Sequence, residues 1–359
     1  MAGQSMLFPV ILLILAINCV LCSYSIDISR RRTPSKFKVY WNVPSIQCAG
    51  HKINFTEVNE KFGIVQNDND SFRGNKVVIM YDPGYFPALL EQKGSKSYFF
   101  RNGGLPQQGN LTLHLEYFRK HVHEQIPDIN FNGVGIIDFE SWRPIFRQNF
   151  GGLIPYRDLS KDLERQMHPW WPNSLIEKEA ARKFEIFGRI FMEETLTYIK
   201  QLRPNATWGY YAYPYCFNMR GSKVRDCSAE VKKENDRLSW LFDISDAYYP
   251  SLYMSKSTLT PKEKILMIEG RVLEAERIAR ETNNILKVPK IIPYFWYRYQ
   301  DIDEYLTKED LYNSLLTLKS MGTDGILLWG SSNDVNSKQR CLNLKNYIEN
   351  VLGPILLSI

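Results

Sequence analysis

Two carboxylic acids, Asp138 and Glu140, lie two residues apart at the end of an apolar run that begins at Gly133. Residues at positions i and i+2 of a strand point to the same face, so the two carboxyl groups are expected to lie side by side. Neighbouring carboxylates repel each other when both are ionised, which raises at least one pKa. A carboxyl group that keeps its proton near neutral pH is what glycoside cleavage requires of its general acid. The pair predicts a glycosidase site; solvated acids at a strand end, or a metal-binding pair, are the alternatives.

The acid pair ends one of seven apolar runs that alternate with longer, helix-like stretches. Several runs are apolar on both faces, which is typical of strands in a buried parallel sheet. This order predicts an α/β fold, an incomplete TIM-like (β/α) barrel of about seven parallel strands forming a single domain over residues 36–350. An open doubly wound sheet is the alternative, but no G-x-G-x-x-G motif follows any run. The runs are Lys38–Pro44, Lys76–Asp82, Gly133–Glu140, Thr207–Pro214, Ala247–Tyr253, Lys290–Trp296 and Asp324–Gly330.

Helix boundary signals occur in the intervals between these runs. Ser174 and Glu177 have the spacing of a capping box before a long amphipathic pattern. Thr260 and Glu263 repeat that spacing, with a proline at the first helical position. A third helix, over 310–321, is predicted to stop at Gly322.

In such a barrel the active site lies at the C-terminal ends of the strands, so the last residues of each run are candidate ligand contacts. Aromatic rings offer flat apolar faces to sugar rings, although any one of them could instead be a core residue. Arg143 and Arg271 could bind substrate carboxylates or serve as structural ion-pair partners. The strand-end candidates are Tyr81, Asp82, Tyr211, Tyr213, Ser251, Tyr253, Trp296, Trp329, Ser331 and Ser332.

The composition describes an ordinary globular protein: 359 residues, 44% hydrophobic, 23% charged and a net charge of +6. These values exclude a disordered chain, a collagen and a coiled coil. Residues 1–23 carry no charged side chain and contain the apolar run Met6–Leu21, which predicts a secretory signal peptide. A short segment, 24–35, precedes the barrel, and a tail, 351–359, follows it. We expect an exported chain with neither a membrane nor a nucleic acid as partner.

Cysteines and sequons agree with export. Of the six cysteines, Cys19 and Cys22 fall in the signal peptide, and the remaining four predict two disulfides with three possible pairings. Cys216 and Cys227, eleven residues apart, could close a local loop, and Cys48 and Cys341 would then join the ends of the domain. No two of the four remaining cysteines have C-x-x-C spacing, which argues against a zinc site. N-x-S/T sequons predict glycosylation at Asn54, Asn69, Asn110 and Asn205.

Several motifs, in the same order along the chain, resemble those of the animal hyaluronidases, and most closely those of the hymenopteran venom enzymes, which are known allergens. The resemblance extends from about Tyr40 to Tyr347. The motifs are Ile79-Met-Tyr-Asp-Pro-Gly84, residues 133–146 with Asp138-Phe-Glu140-Ser-Trp-Arg143-Pro at their centre, residues 208–216, Tyr249-Pro-Ser-Leu-Tyr253 and Leu328-Trp-Gly-Ser-Ser332.

The resemblance implies an incomplete (β/α) barrel and endo-hydrolysis of the β-1,4 N-acetylglucosaminide bonds of hyaluronan, with chondroitin as a lesser substrate. It also implies Cys48–Cys341 and Cys216–Cys227 pairing, secretion into venom, and no metal or organic cofactor. We expect a monomer that acts on these polyanionic glycans.

The family mechanism retains the anomeric configuration without an enzymic nucleophile, because the N-acetyl oxygen of the substrate attacks the anomeric carbon. By position, the resemblance implies that Glu140 is the proton donor and later the general base. Asp138 would orient the acetamido group, helped by Tyr211 and Tyr253. The residues implied to line the groove are Ile79, Tyr81, Asp82, Arg143, Ser251, Arg271, Trp329, Ser331 and Ser332.

Two alternatives share the resemblance or the chemistry. A catalytically inactive, glycan-binding homologue typically lacks the acidic pair, whereas Asp138 and Glu140 are both present here. A chitinase-like enzyme or lectin usually carries a D-x-x-D-x-D-x-E pattern, of which residues 133–140 have only the last two acids.

Salt is predicted to weaken binding of a polyanionic substrate. The net charge of +6 and the two groove arginines favour an anionic polymer, and this attraction is screened within ~10 Å at 0.1 M salt and ~3 Å at 1 M. The apparent KM for hyaluronan, measured from initial rates at increasing ionic strength, is expected to rise. A constant KM would show that electrostatic attraction contributes little to binding.

Overall fold

The computed structural model describes residues 36–92, 94, 97–219, 225–283 and 288–359. The predicted signal peptide and the segment 24–35 lie outside these residues. Within them the seven apolar runs all form parallel strands. An antiparallel hairpin, which the sequence analysis did not predict, is added between the second and third runs. The strands are β1 Lys38–Asn42, β2 Val77–Tyr81, β3 Ala88–Glu91, β4 Tyr98–Arg101, β5 Val134–Asp138, β6 Thr207–Tyr210, β7 Ala247–Tyr248, β8 Lys290–Ile291, β9 Tyr294–Trp296 and β10 Gly325–Trp329.

The parallel strands follow one another around a ring. Ladders join β2 to β5 and β5 to β6, then β7 to β8, and finally β9 to β10 and β10 to β1. Single bridges extend the ring from β6 to β7 at Tyr211–Tyr249, and on toward β9 at Ser251–Tyr294. Beta strands β8 and β9 are the two halves of a single predicted run. Among the described residues no ladder joins β1 to β2, so the ring has a seam there.

The segment that precedes β2 fills this seam. The backbone of Val65 exchanges hydrogen bonds with β1, donating to Val39 O at 2.7 Å and accepting from Trp41 N at 2.8 Å. Two residues later, the side chain of Asn67 forms hydrogen bonds with the β2 edge of the seam. Its Nδ2 donates to Val77 O at 2.9 Å, and its Oδ1 accepts from the Val77 and Lys76 N–H groups, each at 2.8 Å. A side-chain amide therefore supplies the bonds that a missing strand would make to β2.

Side chains of alternate residues fill the interior of the ring. Val77 and Ile79 of β2, with Val134 and Ile136 of β5, belong to one buried cluster that also contains Tyr249, Tyr294 and Leu327. The intervening residues point outward and pack against helices: Val78, Met80 and Ile137 lie in a second cluster. The period of two in the sequence thus separates an inner core from an outer one.

Helices surround the strands, and their ends test the predicted boundary signals. The capping box of Thr260 and Glu263 is confirmed, and Gly322 follows the third predicted helix with a φ of +74°. The capping box predicted at Ser174 is wrong. Pro172 has extended backbone, φ −65° and ψ 153°, so the helix begins at Asn173 and Ser174 lies inside its first turn. The helices are α1 Val58–Phe62, α2 Leu111–Gln125, α3 Ile154–Met167, α4 Asn173–Leu202, α5 Ala229–Asp236, α6 Ser239–Ile244, α7 Pro261–Glu281, α8 Lys308–Ser320, α9 Lys338–Tyr347 and α10 Gly353–Ser358.

Two disulfides have the pairing that the resemblance implies. Cys48 is bonded to Cys341, 293 residues further along the chain, and Cys216 to Cys227. Closing so long a loop removes conformational entropy from the unfolded chain, so the first disulfide is expected to stabilise the fold more than the second.

Replacing Asn67 with alanine is predicted to destabilise the protein by about 2–4 kcal/mol, because buried backbone groups of β2 lose their partners. Urea unfolding followed by circular dichroism measures the change. Asn75→Ala is the matched control, since Asn75 is exposed and bonds only the Asp68 region. Equal losses for both variants would contradict the role of Asn67 in the seam.

Candidate active site

In each strand the inward-facing residues, which occur at every second position, lead to the candidate site residues. Ile136 is followed on the same face by Asp138 and Glu140, Ile79 by Tyr81, and Leu327 by Trp329. The same step of two leads from Gly209 to Tyr211, from Tyr249 to Ser251 and Tyr253, and from Tyr294 to Trp296. The fold thus brings side chains from six strand ends to one end of the barrel, as the strand-end argument predicts.

Asp138 and Glu140 lie against each other, joined by a side-chain hydrogen bond. Burial raises the pKa of Asp138 well above its usual range, and the charges of Glu140 and Asp82 raise it further. Burial also raises the pKa of Glu140, which nevertheless reaches solvent. Asp138 Oδ1 is buried and has no hydrogen-bond partner among the described residues. The pair can therefore hold a proton near neutral pH.

Arg143 acts on this pair from within a cage of aromatic rings. Its guanidinium carbon lies 5.1, 5.0 and 5.4 Å from the ring centroids of Phe150, Tyr215 and Phe217. Its Nη1 donates to Gln148 O at 2.6 Å. The positive charge lowers the pKa of Glu140 and so opposes part of the effect of burial. Among the described residues Arg143 makes no ion pair, and its contacts are with aromatic rings and a backbone carbonyl.

Tyrosine and tryptophan side chains form a wall beside the acids. Tyr253 stacks on Trp329 with a centroid distance of 5.4 Å, and Trp329 Nε1 donates to Tyr81 Oη at 2.9 Å. Tyr211 Oη lies 3.3 Å from Ser251 Oγ, and burial raises the pKa of Tyr211, so its hydroxyl stays protonated. These rings offer apolar faces and hydroxyl groups to a sugar.

The remaining predicted site residues differ in how far they are buried and in what they contact. Ile79 is only 1% exposed in the inner core, below Tyr81, and presents almost no surface to a ligand. Arg271 donates from Nε to Asn218 Oδ1 at 3.0 Å and from Nη1 to Ser251 O. Ser331 Oγ accepts from Asn333 N at 3.2 Å in the turn after β10, and Ser332 is exposed there.

Arg101 is a site residue that the sequence analysis missed. It lies on β4 of the unpredicted hairpin and makes a two-pronged ion pair with Asp82, with Nη2 to Oδ1 at 2.8 Å. The backbone N–H of Asp82 donates to Asp138 O at 2.7 Å, which fixes this carboxylate over the acid pair. Only recognition of the hairpin strands over 88–101 could have indicated the contact.

Two histidines of α2, also missed, hold the turn that follows Asp82. Gly84 N donates to His121 Nδ1 and Tyr85 N to His114 Nδ1, each at 2.9 Å. His114 Nε2 therefore carries the proton and donates to Thr195 Oγ1 at 2.8 Å. Burial lowers the pKa of His114 to about 3, so the ring stays neutral. A Cβ on Gly84, whose φ is +78°, would meet the His114 ring at 2.7 Å, so this turn requires glycine.

Comparison with known proteins gives the family. A sequence model described as hyaluronidase matches residues 31–359. The hyaluronidase of Apis mellifera is 46% identical over 359 residues, which cover 99% of this chain and 93% of that protein. Hyaluronidase B of Vespa velutina is 47% identical and covers 90% and 96%. A crystal structure of bee venom hyaluronidase with a hyaluronic acid tetramer superposes with a TM-score of 0.87, at 49% identity over 89% of this chain and 98% of that one. The chain belongs to the hyaluronidase family.

Family membership confirms the predicted fold class and the glycoside hydrolase class of this hyaluronidase-family chain. Within its described residues, no cluster of three or more histidine, cysteine, aspartate or glutamate side chains could hold a metal ion. In the same part of the chain, every helix is too short or too polar to cross a membrane.

Asp138→Asn is predicted to stabilise the fold. Because the pKa of Asp138 is higher in the folded state than in the unfolded state, folding takes up a proton, and stability is lost as pH rises from the unfolded value toward the folded one. Above that window the amide should raise the free energy of unfolding by at least about 1 kcal/mol, the value of one pKa unit.

Urea unfolding of the wild type and the variant between pH 4 and 9 measures this difference. Asp301→Asn is a control for which the opposite change in stability is expected. Asp301 accepts from Ser255 Oγ at 2.6 Å and from Lys256 N at 2.9 Å, and its hydrogen bonds hold its pKa below the usual range. That variant should lose stability at neutral pH. A gain of stability for Asp301→Asn, or none for Asp138→Asn, would contradict the electrostatics described above.

Proposed function

We propose that this protein hydrolyses the β-1,4 N-acetylglucosaminide bonds of hyaluronan with retention of configuration, using the acetamido group of the substrate as the nucleophile. The observation that supports it most directly is the hydrogen-bonded Asp138–Glu140 pair with raised pKa values, at the strand ends of a hyaluronidase-family barrel. The structural relative was solved with a hyaluronic acid tetramer, which supports the same substrate here.

Glu140 is assigned the proton transfers. It is the solvent-exposed member of the pair, so it can reach a glycosidic oxygen in the groove. Its raised pKa lets it carry a proton to the leaving group, and the nearby charge of Arg143 keeps it acidic enough to release that proton. After the leaving group departs, the Glu140 carboxylate takes a proton from the water that attacks the intermediate.

Asp138 is assigned the orientation of the acetamido group. Its buried Oδ1 receives no N–H donor from the described residues and can accept the amide N–H of the substrate. That bond directs the acetamido oxygen toward the anomeric carbon and offsets the positive charge that develops on the amide nitrogen as the ring closes. The Tyr211 hydroxyl, kept protonated by burial, and the hydroxyl of the neighbouring Tyr253 support the same group.

The rest of the groove suits a polymer of acidic and N-acetylated sugars. The Tyr253–Trp329 stack offers a ring face, and Arg271 offers a cation for a uronate carboxylate. Chondroitin, which differs from hyaluronan in the configuration of one hydroxyl, is proposed as a lesser substrate. The protein is proposed to be a secreted venom monomer. Glycans are proposed on its four sequon asparagines, all of which are exposed: Asn54, Asn69, Asn110 and Asn205.

Glu140→Gln is predicted to lower kcat on hyaluronan at least 10²–10⁴-fold, the usual contribution of a general acid–base group. KM should change little, because the shape of the side chain is kept. Asp138→Asn should also lose most of its turnover, since an amide cannot offset the charge on the nitrogen. Reducing-end release from purified hyaluronan measures both variants, and Tyr312→Ala, an exposed ring on α8, serves as the surface control.

The nucleophile is tested by adding azide to the Glu140→Gln variant and recording the anomer released from an activated substrate. An acetamido nucleophile predicts a rescued product that keeps the β configuration. An inverted azide adduct would instead identify Glu140 as a covalent nucleophile and would falsify the substrate-assisted assignment.

A further inference from the structure

The buried carboxylate of Asp334 accepts hydrogen bonds from both segments that lead to the aromatic wall of the site. Asp334 is 2% exposed and lies in the short 3-10 turn Ser332–Val335, which follows β10. Its Oδ2 accepts from the indole Nε1 of Trp296, from the hydroxyl of Tyr297 and from the backbone N–H of Ser331, each at 3.0 Å. The ends of β9 and β10 are therefore joined through one side chain, which was not among the residues predicted from the sequence.

Asp334 has little freedom to move within this network. Arg298 Nε lies 3.4 Å from its Oδ1, and the same guanidinium is held over the ring of Tyr305 at 4.5 Å. Burial raises the pKa of Tyr297 far above its usual range, so the Tyr297 hydroxyl keeps its proton and donates it to the carboxylate. Hydrogen bonds to an ionised acceptor are roughly twice as strong as those between neutral groups. Asp334 can thus hold its partners in place.

The bond from Trp296 supports the stacked rings of the wall. The Trp296 ring meets Trp329 edge-on, with centroids 5.1 Å apart and an interplanar angle of 75°, and it lies 5.8 Å from the ring of Tyr253. Trp329 and Tyr253 are the two rings that stack on each other. Because its N–H is bonded to Asp334, the Trp296 ring cannot rotate about its side-chain torsions without losing that bond. It therefore packs against both stacked rings in one fixed orientation.

The bond from Ser331 fixes the same wall through the backbone. Ser331 lies two residues after Trp329, and its N–H donates to the Asp334 side chain, while the Asp334 N–H donates to Ser331 O at 2.9 Å. At the intervening Gly330, an added Cβ would overlap the Tyr297 hydroxyl. The backbone that leaves Trp329 is thus confined on one side by Tyr297 and tied on the other to Asp334.

We propose that Asp334 is a positioning residue of the substrate groove. It is too buried to touch the polymer, but through Trp296 and Ser331 it holds the Tyr253–Trp329 stack in the arrangement that receives a sugar ring. The proposal rests on the proposed function for the identity of the polymer. It predicts that loss of the acceptor oxygens weakens sugar binding in protein that is still folded, whereas loss of the negative charge alone does not.

Binding is measured by calorimetry with a hyaluronan oligosaccharide, in the Glu140→Gln background to prevent cleavage. Asp334→Ala removes the acceptor and is expected to lower affinity about three- to tenfold, the factor for one aromatic contact. Asp334→Asn keeps an amide oxygen that can accept from Trp296 and Ser331, but it has no charge for Arg298. That variant should lose stability in urea and still bind like the parent chain.

Trp296→Phe tests the bond from the other side, because it removes the indole N–H. Its affinity should fall by a similar factor, and combining it with Asp334→Ala should add little, since two residues that act through one bond are not additive. Asp303→Asn is the matched control. Asp303 also pairs with Arg298, but its side chain is 66% exposed and its other partner is Arg340. The control should bind like the parent chain.

Circular dichroism without a ligand tests the position of Trp296 directly, because two closely packed indoles give coupled bands. The band that Trp296→Phe abolishes should also be weakened in Asp334→Ala and kept in Asp334→Asn. A contribution of Asp334 to overall stability alone would leave this band unchanged in the folded protein.

A folded Asp334→Ala variant with the affinity and the spectrum of the parent chain would overturn the proposal. Equal losses of affinity for Asp334→Ala and Asp334→Asn would also overturn it, because they would assign the effect to the ion pair with Arg298. If Asp334→Ala does not fold, Trp296→Phe decides: a three- to tenfold loss supports the proposal, and unchanged affinity overturns it.

Turnover of hyaluronan by the wild type is measured separately. Its failure would refute the proposed function, while the spectrum, recorded without a ligand, would still decide whether Asp334 holds Trp296.

Discussion

The barrel has to hold the carboxyl group of Asp138 in place, because its Oδ1 is buried and receives no hydrogen bond from an N–H donor of the described residues. A buried, unsatisfied polar atom costs about 1–3 kcal/mol, so a chain free to relax would turn this carboxyl toward solvent. It stays because the backbone on either side is held by the β5 ladders to β2 and β6, and because Ile136 below it is packed in the inner core. The stability of the barrel thus holds a buried carboxyl group in a position where it can act on a ligand.

The neighbouring elements add to this constraint from outside the barrel. Asp82 is fixed over the pair by its backbone bond to Asp138 and by Arg101 from the hairpin. The turn after Asp82 is fixed by His114 and His121, which accept backbone N–H groups through their unprotonated nitrogens. The charge of Asp82 favours a proton on the acid pair, and Arg101 prevents that negative charge from being unbalanced. Each element acts on the acids through charge or position.

The sequence predicts those parts of the structure that leave a periodic pattern of residues along the chain. The period of two in the apolar runs marks the strands. Two residues beyond the last inward-facing core residue of three strands lie Tyr81, Asp138 and Trp329. The side chains that join distant segments leave no such pattern. Arg101 lies on a hairpin whose Phe99 and Phe100 are both exposed, so burial gives that strand no alternation to recognise. Asn67 substitutes for a strand through one amide, and His114 bonds a turn 29 residues away from it in the chain. The boundary at Ser174 was mispredicted because the backbone of Pro172 outweighs a capping pattern.

The contacts of Arg143 are consistent with the need to keep one proton on the acid pair. A mobile guanidinium beside Glu140 would form an ion pair with it, stabilise the carboxylate and remove the proton donor. Arg143 is prevented from doing so by three rings and by its bond to Gln148 O. Its charge still reaches Glu140 and moderates a pKa that burial alone would raise further. The aromatic cage therefore holds a cation whose charge lowers the pKa of Glu140 without forming an ion pair with it among the described residues.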